Sequence, residues 1–351
     1  MSVKVAANHA MGDKELRKVF CETLIAMAEE DGRVCVLDAD LMNAAGTKPF
    51  RAAFPERTFD CGVQEANMIG VAAGLSSRGF VPFTHTFGPF AARRACDQIF
   101  MSCAYAKQNV KVVGSDPGIT AALNGGTHMP FEDLGIMSTI PEMTVVEPCD
   151  AVSMGKVTRL ARDTYGTWYM RLHRKPAPVI YEEDSEFTVG KANLLRDGLD
   201  VAIIAMGYMV AEALKAADML EKEGISAQVL DMWCLKPLDE EAVINAAKKT
   251  GCVVTAENHN IRNGLGSAVA SCLAMNRPTA VEMVGVRDQF GEVGPTPELA
   301  ERFKLTADEI VAKAKRAMAR KAHKHTWSRL SYDLATAISE LRTYTDDVFS
   351  F

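Results

Sequence analysis

Short apolar, β-branched runs alternate along this chain with longer stretches in which apolar residues recur every three or four positions. The runs predict strands at Val34–Leu37, Val110–Gly114, Met143–Val146, Trp168–Leu172, Val201–Met206, Ala227–Leu230, Cys252–Ala256 and Ala280–Val284. Leu16, Val19, Phe20, Leu24 and Met27 keep helical spacing, as do Met209, Leu214, Ala217 and Leu220. Strands that are apolar on both faces, alternating with helices, predict an α/β protein of two αβα domains. Each domain is expected to hold a parallel or mixed sheet covered on both sides.

Two prolines in KPAPV and the acidic segment Ile180–Ala192 interrupt this rhythm and predict a domain boundary. The first domain is expected over residues 1–185 and the second over 193–317, with a C-terminal helical extension over 318–351. In and just ahead of the extension, Lys313 to Arg329 is crowded with basic residues. Trp327, Leu330, Leu334, Ile338 and Leu341 then form an amphipathic stripe. That stripe suits either packing on its own domain or docking on another subunit.

Composition narrows the class. With 351 residues and 48% hydrophobic content the chain can bury two cores. Its 39 basic and 45 acidic residues give a net charge of −6, which argues against nucleic acid as the main partner. No apolar run approaches the roughly 20 residues of a membrane span, and the N-terminus has no signal-peptide core. The nine cysteines are odd in number, lack CxxC spacing and sit mostly in apolar runs. They are expected to be reduced core thiols of a cytoplasmic protein. In the second domain, Gly207 follows a strand but G-x-G-x-x-G is missing, so no nucleotide site is expected there. Glu257 and His259 are poorly spaced for a closed metal site.

Five places carry candidate chemistry. TFDCGVQE (58–65) puts Glu65 in the first turn of a helix over Gln64–Arg78, where the helix dipole alone would favour it. Phe87 and Phe90 follow in THTFGPF, at a spacing that also suits plain core packing. His128 closes the Gly-rich LNGGTHMP, after which Pro130 is expected to open a helix. Arg171, His173 and Arg174 end a strand in TWYMRLHR; alternation puts the first two on one face and Arg174 at the exit. Asp40, in LDADLMN, suits a cap or turn after the first strand.

In this order, the strings resemble the pyrimidine-binding half of a transketolase. AENHNIRNGLGSAV (256–269) and VRDQFGEVG (286–294) resemble that family's C-terminal domain, so the resemblance runs over residues 13–317. It implies thiamine diphosphate as cofactor. Glu65 would meet the aminopyrimidine ring nitrogen, and Phe87 and Phe90 would wall the ring. A third aromatic often follows, but Arg93 stands there. Asp40 would lie at a subunit interface near the thiazolium. His128, Asn124, His173 and Arg174 would bind substrate. Asn124 replaces an Asp of the family pattern and Gly126 a Pro. Arg174 would hold the sugar's phosphate, but a family Ser that helps it is Ala44 here, so phosphate and sulfonate both stay open. The G-D-G string that cradles the diphosphate is absent.

The resemblance therefore implies the C-terminal subunit of a split transketolase. An N-terminal partner subunit would carry the diphosphate site and Mg²⁺ or Ca²⁺, and a second copy of this chain would complete an α2β2 assembly. The implied reaction moves a two-carbon ketol unit between a ketose and an aldose with a terminal anion. The alternatives are a 2-oxoacid dehydrogenase β subunit, a deoxyxylulose-phosphate-synthase-like enzyme, or a non-catalytic scaffold subunit. T-H-x-P with T-F-x-x-F upstream favours transketolase.

Overall fold

Buried strands build the middle of the first sheet in the computed structural model, which describes residues 3–321. β1 (Val34–Asp38), β2 (Thr58–Asp60), β3 (Val81–Phe87), β4 (Lys111–Ser115), β5 (Thr144–Val146) and β6 (Trp168–Leu172) run parallel. β1, β3, β4 and β6 are buried along their whole length. Helices Leu16–Glu30 and Ala151–Asp163 cover one face, and Glu65–Ser77 covers the other. This burial on both faces is why most of these strands read as near-continuous apolar runs.

β3 is the exception, and the hydrophobic pattern did not include it. Thr84, His85 and Thr86 interrupt its apolar run, yet each is about 1% exposed. β2 was also missed because it is short and half-exposed. The helix expected at Pro130 begins instead at Asp133 and runs to Ser138.

The second sheet holds β7 (Asn193–Arg196), β8 (Val201–Ala205), β9 (Ala227–Asp231), β11 (Cys252–Asn260) and β12 (Ala280–Val286), in the order β12-β11-β8-β9-β7. All but β7 run parallel. Together the sheets form a mixed α/β architecture. The short β10 (Cys234–Lys236) leaves the second half and pairs antiparallel with β5, extending the first sheet to the order β10-β5-β6-β4-β3-β1-β2. β6 and β7, on either side of the expected boundary, lie in different sheets, and among the described strands β10 alone crosses back. Asp150 fastens that crossing: it caps its helix at Ser153 and its other oxygen accepts from Ile180 and Tyr181 N–H, both at 2.9 Å.

Arg171 ties the halves together more deeply. It shares no solvated strand end with His173; it is fully buried against Asp133 and Glu147, and donates to the Asn258 carbonyl of β11 at 3.2 Å. Burying a guanidinium is costly unless its donors are matched, and here carboxylates and carbonyls match them. Glu257 accepts from the first amides of helix Leu265–Asn276, at 2.7 and 2.8 Å, which is a helix-start role and not a metal ligand role. The nine cysteines are free, and all but Cys61 and Cys96 are buried. No helix among the described residues is long and apolar enough to cross a membrane. The helix over residues 307–321 carries the start of the basic run; the stripe from Trp327 to Leu341 lies outside the described residues.

Candidate cofactor and substrate site

The carboxyl ends of parallel strands converge on one region, where α/β folds place ligands. β1 ends at Asp38 and leads to Asp40. β3 ends at Phe87. β4 ends at Ser115 and leads to Asp116, and β6 leads to His173 and Arg174.

Glu65 is the first residue of helix Glu65–Ser77, as the sequence implied, and is only 2% exposed. Thr86 of β3 approaches its Oε1 at 3.4 Å. Arg94 donates to both carboxylate oxygens, at 2.9 and 3.0 Å. A buried carboxylate requires such partners, because an unpaired charge in low dielectric is strongly unfavourable.

Phe87, Phe90 and His128 form a ring cluster beside it. The Phe87 and Phe90 centroids lie 6.0 Å apart, and His128 lies 5.4 and 5.1 Å from them, all in T-shaped contacts. Phe90 begins a π-helical segment, Phe90–Arg94, an uncommon winding that often marks functional positions. His128 Nδ1 is 2.9 Å from Thr127 Oγ1, a contact that orients the ring through that nitrogen. Arg93, at the missing aromatic position, braces this loop by donating to the Thr127 carbonyl at 3.1 Å. The Gly126 substitution also has a physical cause. A Cβ there would come 2.1 Å from the Gly291 carbonyl oxygen, so the loop of the second domain occupies the space a larger residue would need.

The substrate candidates divide. Arg174 and Asn124 both reach Asp116: the guanidinium by two contacts of 2.6 Å, the amide at 3.5 Å. Arg174 also lies 5.3 Å over the Phe87 ring, which joins the two parts of the site. Burial pushes the Asp116 carboxyl up, with Arg174, His85 and Arg17 drawing it back. Much of the Arg174 charge is thus already matched by Asp116. His173 stands apart. Its ring contact is Tyr208 of the second domain at 6.4 Å, and burial, with help from Arg174 and Lys175, pushes it down to about 4. Asp40 is exposed, with φ at 61°, and its backbone N–H donates to Asp60 Oδ1 at 3.0 Å. It borders a hollow of about 660 Å³ that Asn43, Lys48 and Arg51 also line.

Three site residues were not legible beforehand. Asp116 follows β4 in a bend with φ at 60°, a conformation its sequence context does not announce. Arg94 sits four residues after Phe90, a helical spacing that could have signalled their stacking. Arg17 is read locally as a surface helix residue, but its Nη1 reaches the Ala44 carbonyl at 3.2 Å while its Nε stays paired with Glu15 at 2.9 Å.

Comparison with known proteins follows the same division. The transketolase pyrimidine-binding domain family matches residues 13–179, and the transketolase C-terminal domain family matches residues 190–310. The chain is 55% identical over 308 residues to a 6-deoxy-6-sulfo-D-fructose transketolase subunit, SqwH, of Clostridium sp. (strain MSTE9), covering 87% of this chain and 95% of that one. It is 41% identical to a putative transketolase C-terminal section of Methanocaldococcus jannaschii, with coverage of 87% and 96%. A solved structure described as a split gene transketolase, inactive beta4 tetramer, superposes with a TM-score of 0.82 at 42% identity, covering 88% of this chain and all of that one. The human transketolase is 33% identical, but this chain spans only 51% of its length. The chain belongs to the transketolase family, as the C-terminal subunit of a split transketolase.

Proposed function

We propose that this subunit, joined to a partner that holds the diphosphate and a Mg²⁺ or Ca²⁺ ion, transfers a two-carbon ketol unit from a ketose to an aldose with a terminal anion. The observation that carries the reading is Glu65: a carboxylate buried to 2% beside a Phe87–Phe90–His128 ring cluster. Flat walls and one buried carboxylate suit the aminopyrimidine of thiamine diphosphate. Among the described residues no group of three or more His, Cys, Asp or Glu could hold a metal ion, so the reading assigns the metal to the partner.

Bound thiamine diphosphate supplies the nucleophilic carbon for the transfer. Glu65 would hold the ring nitrogen, with Phe87 and Phe90 fixing the ring plane. His128 Nε2 would donate to, or accept from, oxygens of the reacting sugar. Asp40 would face the partner beside the cofactor. Arg174 and Arg17 would hold the terminal anion, and Asn124 a hydroxyl nearer the reacting carbon; His173 would orient the Arg174 strand exit. A sulfonate is the favoured terminal group, because the relative described as acting on 6-deoxy-6-sulfofructose is 55% identical and one described as an apulose-4-phosphate transketolase subunit is 35% identical. A sulfonate carries one negative charge, which suits an arginine already shared with Asp116.

The test is reconstitution. This chain is mixed with the partner, thiamine diphosphate and Mg²⁺, then supplied with sulfonated, phosphorylated and uncharged ketoses of equal carbon skeleton. Ketol transfer that needs both chains and prefers the sulfonate is expected. Full turnover by the purified single chain, or none with the partner, would sink the reading. Native mass spectrometry of the same mixture reads out whether two copies of each chain assemble.

A further inference from the structure

Arg94 satisfies, within this chain, both demands that the cofactor ring makes of this corner. Its Nη1 sits 2.9 and 3.0 Å from the two oxygens of Glu65, and its guanidinium carbon lies 3.9 Å from the Phe90 ring centroid. A planar group is therefore already stacked on Phe90 with N–H donors on the carboxylate. A ring nitrogen bonding Glu65 needs about 2.7–3.2 Å of approach. It cannot reach that distance while one cation straddles both oxygens.

The two members of the pair differ in what release would cost them. The Glu65 side chain is 2% exposed and the Arg94 side chain 50% exposed. Leaving Glu65 unpartnered is strongly unfavourable, whereas Arg94 can turn into water at little loss. When a competitor arrives, Arg94 is the member that leaves.

We infer that Arg94 is a positioning residue that holds the aminopyrimidine's place: it keeps Glu65 partnered and Phe90 covered until the ring displaces it. This rests on the thiamine diphosphate reading above. It has a thermodynamic signature that an ordinary structural salt bridge lacks. Removing Arg94 destabilises the empty pocket but not the loaded one, in which the ring partners Glu65. Cofactor binding must then tighten by the same free energy that the empty state loses.

The experiment uses the reconstituted two-chain enzyme with Mg²⁺. Thiamine diphosphate affinity is measured by calorimetry, and melting temperature with and without cofactor, for wild type, R94A and R94Q. R94A is expected to bind cofactor roughly 10-fold more tightly while melting lower when empty, so its cofactor-induced stabilisation widens. R94Q keeps a neutral donor and should fall between R94A and wild type; it also serves if R94A does not fold. Unchanged or weaker binding in the variants overturns the inference while the functional reading stands. A wild-type complex that binds no thiamine diphosphate overturns the functional reading, and the inference with it.

Discussion

Arg174 and Asp116 form a two-point ion pair across the exits of neighbouring strands β6 and β4, Nε to Oδ1 and Nη2 to Oδ2, each 2.6 Å. Asp116 is nearly inaccessible while Arg174 keeps about a fifth of its side chain exposed. The carboxylate holds the guanidinium at two of its nitrogens and leaves part of the side chain open to solvent. Under the proposed function, the pair would set how much positive charge an incoming anion meets.

That arrangement separates two substitutions. Arg174→Ala should raise the Michaelis constant for donors with a terminal anion by about 10–100-fold, since charge-assisted hydrogen bonds contribute roughly 1.5–3 kcal/mol. Asp116→Asn should lower that constant, because it removes the competing charge and keeps an acceptor. Uncharged donors should respond to neither. Equal changes for charged and uncharged donors would make the pair structural only.

Glu65→Gln should reduce turnover by about 10²–10⁴-fold at saturating cofactor, the range typical of a positioned proton-handling group. The amide is isosteric at a helix start, so the melting temperature should move little by comparison. Near wild-type turnover would return Glu65 to the role of a helix-start carboxylate paired with Arg94.

Arg171→Met tests the joint between the domains. It strands Asp133 and Glu147, both fully buried, without a cation. Breaking such a cluster typically costs about 3–5 kcal/mol. Thermal denaturation should show a large loss. A loss too small to measure would mean that the two carboxylates take up protons and relax at no cost.

Asp231 predicts a pH dependence. Burial raises its carboxyl to about 7, although Tyr181 donates to it at 2.6 Å. A carboxyl whose folded value lies above its unfolded one binds more protons in the native state, so its contribution to stability falls as pH rises from about 4 to about 7. Glu257, also raised to about 7, acts in the same direction. His173 and His259, both lowered to about 4, oppose it, because native-state stability grows as the unfolded histidines lose their protons up to about 6.5. Asp231→Asn removes only the share of the fall that Asp231 contributes. Its stability relative to wild type, from denaturant midpoints, should therefore be better at pH 8 than at pH 5. Parallel curves would show that the group does not titrate in this range.

The sequence by itself determined most of the local elements and named the residues that meet in the ring cluster. Strands buried on both faces announce themselves as apolar runs, and helix Glu65–Ser77 carries its spacing and its first-turn carboxylate in the primary structure. Phe87, Phe90 and His128 lie close enough in short strings for their order to be read. Tertiary structure decided what was paired with what. β3 was hidden because its buried Thr84, His85 and Thr86 look polar, and only its neighbours β1 and β4 make that position interior. Asp116 and Arg174 are 58 residues apart, and Glu65 and Arg94 are 29 apart. Arg171 reaches Asn258 of the other domain across 87 residues. Charge pairing depends on distance in space and on exclusion of water, neither of which a linear pattern records. Parallel strands create that proximity by bringing the ends of distant segments to one edge, and there the fold set the partners of Glu65, Asp116 and Arg174.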